Sequence, residues 1–339
     1  MDIQIILLGA IIFLLLIIAI LLIAGAMRKA NLRKSYPPKG QLIDVGGYRL
    51  HIHCQGQGSP AVILDAGQGE SGFSWAHIQS EIANMTQVCA YDRAGLGWSD
   101  PSLKPRTAEG MVEELHTLLD RAGVPQPYIL VGASLGGLNA RVYAHKYPDE
   151  VAGLVLVDAA HEQQYTPEPL QKAIRQMSKM MPVMVGFAIF VVKSGLGALF
   201  PRLVPGGGNP MAEAAGEIDK ALRISNAGYL EASVAEIKDV ELSHAQVRQM
   251  NITSLGDLPM IVIRHGKAQT QMMPGVTGVM EETNQRLQAE VAAQSTRGRL
   301  VVAEQSGHAV QFDEPELVSR CILEILEEVR QSIHAAEPS

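Results

Sequence analysis

Residues 128–147 read YILVGASLGGLNARVYAHKY. The stretch opens on an apolar run, Tyr128 to Val131, and tightens into Gly132-Ala-Ser-Leu-Gly136. From Leu138 to Tyr147 it has helical spacing, and Pro148 ends it because the residue before a proline avoids the helical region. A strand that passes straight into a helix through so sharp a turn presents its apical residue, Ser134, at the edge of the sheet. The turn needs glycine on both sides, since a side chain there would clash. The pentapeptide alone is weak in a chain with 32 glycines. The strand before it and the helix after it give it meaning.

The same rhythm extends in both directions. Strand signals recur at Tyr48 to His53, Ala61 to Leu64, Gln87 to Tyr91, Val151 to Val157, Met260 to Ile263 and Arg299 to Ala303. Val151 to Val157 is apolar throughout, as a strand buried on both faces should be. Helical spacing marks Thr107 to Arg121, with Thr107 as its cap and Gly123 just past its end, and Glu316 to Ile333. Strands alternating with helices predict an α/β fold with a mostly parallel central sheet flanked by helices. The rhythm breaks between Asp158 and Pro259, where composition is helical and no strand is evident. A helical cap over 159–258, inserted into a core of 41–158 and 259–335, is the expectation. Within it, Met180 to Pro205 is rich in Met, Val, Phe, Leu and Gly and is expected to line an apolar pocket. A second membrane span there is the weaker reading, because Pro182, Lys193, Gly195 and Gly197 interrupt it.

Ile3 to Met27 carries no charged side chain, and Arg28, Lys29, Arg33 and Lys34 follow. Twenty-five helical residues reach roughly 37 Å, enough to cross a hydrocarbon core of about 30 Å. A cleaved signal peptide is the rival, supported by Ala24-Gly-Ala26. The absence of Lys or Arg before the run, and its length, favour an uncleaved single-pass anchor over 3–27. Residues 28–40, with Pro37-Pro38, then form a juxtamembrane linker. The basic cluster lies after the span, which predicts the following domain on the cytoplasmic side.

The chain has a formal charge of −7 and gives no sign of the basic face that nucleic-acid binding needs. Cys54, Cys89 and Cys321 are read as buried thiols rather than a disulfide framework. His51, His53 and Cys54 lie close together, but no second ligand cluster supports a zinc site.

A serine hydroxyl needs a neighbouring base, most often histidine. His308, in Glu304-Gln-Ser-Gly-His308, follows the last predicted strand, and α/β sites assemble at the carboxyl ends of strands.

From about residue 40 to 335 the chain resembles α/β-hydrolase proteins of the bacterial cap-containing type. The resemblance rests on Asp65-Ala-Gly-Gln68, Tyr91-Asp-Arg-Ala-Gly-Leu-Gly-Trp-Ser-Asp100, Gly132-Ala-Ser-Leu-Gly136, Leu154-Val-Leu-Val-Asp158 and Ser306-Gly-His308. It implies a triad of Ser134, Asp158 and His308. In most relatives the acid follows the strand that is Met260 to Ile263 here, but this chain continues with Arg264-His-Gly-Lys-Ala-Gln-Thr-Gln-Met-Met273. The known variant with the acid one strand earlier points to Asp158, and Glu281 or Glu282 remain as alternatives. The resemblance also implies an oxyanion hole from the Gln68 and Leu135 N–H groups, and a structural bracing role for Asp92, Arg93 and Trp98.

The expected activity is carboxylic-ester hydrolysis of a lipophilic small molecule, with neither metal nor organic cofactor. The alternatives are a thioesterase, acyltransferase or carbon–carbon hydrolase with the same triad, and a non-catalytic lipid- or partner-binding module at the membrane.

Overall fold

The computed structural model describes residues 3–204, 216–268 and 276–336. The central sheet has eight strands: β1 Gln41–Asp44, β2 Arg49–Gln55, β3 Ala61–Asp65, β4 Val88–Asp92, β5 Tyr128–Ala133, β6 Val151–Val157, β7 Met260–His265 and β8 Gly298–Ala303. Their order is β1-β2-β4-β3-β5-β6-β7-β8. β1 and β2 run antiparallel to their neighbours, and every later pair is parallel.

Alternation along the buried strands supplies two cores, one per face. Ile129 and Val131 point to one side with Val62 and Leu64; Tyr128 and Leu130 point to the other with Ala61 and Ile63. The first face is covered by α2 (Ala76–Ile82) and α12 (Pro315–Ala336) through Ile78, Ile82, Ile322 and Ile325. The second is covered by α3 (Ala108–Ala122) and α4 (Leu135–Lys146) through Met111, Leu115, Leu118 and Leu138, and by α10 (Thr277–Ala292) through Val291. The Thr107 side chain caps α3 by accepting from the Gly110 N–H, and Gly123 closes it in the left-handed conformation.

Between β6 and β7 lie α5 (Glu168–Lys193), α6 (Leu196–Leu199), α7 (Gly216–Ser225), α8 (Ala227–Lys238) and α9 (Val240–Met250), with no strand among the described residues. The apolar stretch Met180 to Pro205 falls partly outside the described residues, at Pro205 and in the side chains of 177–184. Where α5 is described, Ala188, Val191 and Val192 are buried against Val204, Ile224, Ala227 and Leu230. Among the described residues only α1 (Ile3–Ser35) is long and apolar enough to cross a membrane. α11 (Val310–Asp313) is a single turn after β8.

One sequence expectation is corrected. Cys54 and Cys89 are joined in a disulfide, and only Cys321 is a free buried thiol. The two cysteines face each other directly across β2 and β4, so strand pairing brings together residues that are 35 apart in sequence.

Candidate active site

Ser134 stands between β5 and α4, at φ 51° and ψ −115°. A Cβ at position 132 would lie 2.2 Å from the Gly136 carbonyl oxygen, and one at 136 would lie 2.2 Å from that of Asp65. Both positions therefore admit only glycine, as the tight turn predicts. The turn is held by the Ser134 N–H donating to Val157 O at 3.0 Å and by Ala160 N–H donating to Ser134 O at 2.8 Å.

His308, on the loop between β8 and α11, places Nε2 3.0 Å from Ser134 Oγ. Its Nδ1 lies 2.5 Å from Asp158 Oδ2. Asp158 directly follows β6, is buried and holds a positive φ of 42°. The structure thus brings Ser134, His308 and Asp158 into one hydrogen-bonded line. Glu281 joins from further out: its carboxylate bonds His265 rather than His308 among the contacts described. Glu282 is solvent-exposed on α10.

Sequence reasoning missed His265, the last residue of β7. Its Nδ1 donates to Asp158 Oδ2 at 2.8 Å and its Nε2 donates to Glu281 Oε2 at 2.8 Å. An imidazolium donates through both ring nitrogens, which matches a carboxylate facing each of them. Burial opposes that charge, but the two carboxylates outweigh it and raise the His265 pKa to about 9. Asp158 also accepts from the His265 N–H at 3.3 Å and from Asn284 Nδ2 at 3.4 Å. Burial would push the Asp158 carboxyl up, yet these hydrogen bonds and the two rings hold it far below the ordinary carboxylate range. The His308 ring is lowered by desolvation and raised more by Asp158, ending above its ordinary value.

Asp158, His265 and His308 are a group of potential metal ligands whose donor atoms lie within 4.8 Å of one another. The two Nδ1 atoms both face Asp158 Oδ2 at hydrogen-bond distance, and His265 Nε2 is taken by Glu281. Such a set orients protons rather than leaving lone pairs free. The zinc reading at His51, His53 and Cys54 is closed by the Cys54–Cys89 bond and by the His51–Asp92 hydrogen bond of 2.8 Å.

Leu135 is the first residue of α4, so its N–H has no partner within the helix. The Gly136 backbone packs on the carbonyls of Asp65 and Ala66, which brings the start of α4 beside the loop carrying Gln68. That loop is braced from behind. The buried Arg93 donates to Asp65 Oδ1, Ala66 O, Gly67 O and Glu236 Oε1, each within 2.7 Å. Asp92 receives the N–H groups of Gly72 and Trp98.

Two cavities share Tyr165 in their walls. A small one of about 160 Å³ is lined by Ser134, His161, Gln164, Tyr165, Met280 and His308, among others. A larger one of about 780 Å³ lies within the insertion, where Tyr165, Ile174, Val185, Val234, Ile237 and His244 contribute to its wall. The larger wall is mostly apolar, although Arg175, Lys238, Glu241 and Arg248 stand on it.

The model of the alpha/beta hydrolase fold matches residues 60–315, and the chain belongs to that family. A probable transporter of Hormonema carpetanum is 34% identical over 146 residues, covering 41% of this chain. The chain spans only 21% of that relative's length. Among solved structures, a thermophilic esterase from Thermogutta terrifontis is 21% identical with a TM-score of 0.57, over 86% of this chain and 98% of its own. An epoxide hydrolase from Vigna radiata is 17% identical with a TM-score of 0.65, over 86% and 98%. At these identities the two structures establish the shared fold alone.

Proposed function

We propose that the protein is a membrane-anchored serine hydrolase that cleaves carboxylic esters of a lipophilic substrate through an acyl-enzyme. The observation that carries this reading is the continuous line from Ser134 Oγ to His308 Nε2 at 3.0 Å and from His308 Nδ1 to Asp158 at 2.5 Å. His308 takes the Ser134 proton as the hydroxyl attacks the ester carbonyl, then returns it to the departing alkoxide. Water enters by the same route in reverse and releases the acid. Asp158 holds the ring in the tautomer with Nδ1 protonated and stabilises its charged form. The N–H groups of Gln68 and Leu135 receive the developing oxyanion. Epoxide hydrolases of this fold use an aspartate nucleophile, so a serine at the turn favours the esterase side of the two structural likenesses. The apolar cavity beyond Tyr165 supports a long or bulky apolar group on the substrate.

α1 serves as the anchor in this reading. The disulfide supports the oxidising side of the membrane for the hydrolase domain, because cytosolic thiols are kept reduced. It outweighs the basic cluster after the span, in which Lys29 and Arg33 are engaged with Val192 O and Asn226 Oδ1 of the insertion.

The test is labelling of the purified full-length protein with a fluorophosphonate. The probe should mark wild type and spare Ser134→Ala; a label that survives the substitution removes the assignment.

A further inference from the structure

α1 does not stand apart from the rest of the chain. Along most of its length it is exposed, but Leu21, Gly25, Lys29 and Leu32 are wholly or partly covered. Their spacing of four, four and three residues puts them on one helix face. Gly25 meets Gly195 backbone to backbone: a Cβ on Gly25 would lie 2.6 Å from Gly195 O, and one on Gly195 would lie 2.5 Å from Gly25 C. Leu32 packs on the insertion's core of Val191, Val192 and Leu230. The lower end of α1 is therefore clasped by the insertion.

The clasp fixes a height. From Ile3 to Gly25 the helix rises about 33 Å at 1.5 Å per residue, close to the roughly 30 Å thickness of a hydrocarbon core. Gly195 then lies at the level where the bilayer ends. Around it, Phe187, Phe190, Phe200 and Leu203 are 58%, 60%, 48% and 47% exposed. Outside α1, every strongly exposed phenylalanine among the described residues falls in this stretch. Arg202 is exposed in the same stretch, as is Lys193, which pairs with Glu231 at 2.8 Å; a cation beside exposed aromatic rings is the composition of a membrane interface.

We propose that the face of the insertion bearing Phe187, Phe190, Phe200 and Leu203 is seated in the surface of the lipid bilayer beside α1, as a second, non-spanning membrane contact. The inference rests on the reading of α1 as an anchor. Its occupant is lipid because this stretch adjoins, at Gly195, a helix built to be surrounded by lipid, and its exposed side chains are aromatic and aliphatic with Arg202 among them. The substrate then reaches the insertion from the membrane rather than from bulk water. α5 bears Phe187 and Phe190 and also contributes Ile174 and Val185 to the larger cavity.

The test uses full-length protein in two sets of phosphatidylcholine vesicles, with bromine on the acyl chains near the headgroup in one and near the chain end in the other, and loss in either set counts. Tryptophan fluorescence is compared for Phe190→Trp, Phe13→Trp in α1 and Leu300→Trp on β8, each against the wild-type background of Trp75 and Trp98. Loss of the added intensity for Phe190→Trp and Phe13→Trp, with none for Leu300→Trp, supports the proposal. Loss for Phe13→Trp alone overturns it and leaves the anchor standing. No loss for Phe13→Trp overturns both. Phe200→Trp repeats the measurement if Phe190→Trp fails to fold.

Discussion

His265 Nδ1 lies 2.8 Å from Asp158 Oδ2, the same oxygen that receives His308. One carboxylate thus orients two rings, and only one of them reaches Ser134. In the proposed reaction His265 acts through Asp158, as a positioning residue. Its positive charge opposes protonation of His308, although Asp158 raises that ring more. His265→Gln should lower kcat more than it raises KM, and should move the acidic limb of the kcat/KM profile upward. A uniform loss of folded protein with an unchanged pH profile would leave His265 with a structural role only.

The same ring sets a pH dependence of stability. Its folded pKa of about 9 exceeds its ordinary value of 6.5. Its stabilisation is therefore fully present below about pH 6.5 and declines as pH rises through 9. Thermal melts from pH 6 to 10 should show wild type losing Tm across this window, and His265→Gln losing less. Equal slopes for the two proteins would contradict the assignment of charge to His265.

Asp158→Asn should leave the site's shape intact and still lower kcat by roughly 10³–10⁴-fold, because the amide favours the wrong imidazole tautomer. Glu281→Gln should cost far less, since the described contact of Glu281 is with His265. Comparable losses in the two variants would return the acid's role to Glu281.

Arg93 is completely buried between Asp65 and Glu236. Arg93→Ala leaves two buried carboxylates without their cation, a change that typically costs about 3–5 kcal/mol. Denaturant unfolding should show that loss, together with proteolytic cleavage around residues 66–72. Retention of wild-type stability would mean that water replaces the guanidinium.

Protein isolated from cells with thiol exchange blocked and denatured without reductant should present one alkylatable thiol, Cys321, and three after reduction. Three before reduction would mean that the domain faces a reducing compartment, in line with the basic residues after α1.

Much of the site was legible because its signals are local. Ser134 sits in a contiguous strand, turn and helix, and His308 and Asp158 each follow an apolar run that could only be a strand. His265 was not read, although its position carried a signal: it occupies the strand end where relatives keep their acid. Here the carboxylate, Asp158, follows the neighbouring strand β6, and His265 ends β7. The disulfide was hidden for a different reason. Cys54 and Cys89 pair only because β4, not β3, lies beside β2, and strand order is a property of the whole sheet. β1 was missed because its four residues are half-exposed and carry little pattern. The stretch Arg264 to Met273 extends past the described residues at 269–273.

The positive φ of Ser134 has a consequence for how the chain can evolve. A non-glycine residue in such a conformation carries a strain of about 1–3 kcal/mol. Glycine at 134 would release it, offset by roughly 0.5–1 kcal/mol of added chain entropy in the unfolded state and by the lost hydrogen bond to His308. Ser134→Gly should therefore be inert in turnover and yet melt no lower than wild type. A population selected for thermostability alone would drift toward that glycine. The serine at the apex is thus a thermodynamic burden, retained only for as long as its hydroxyl is used.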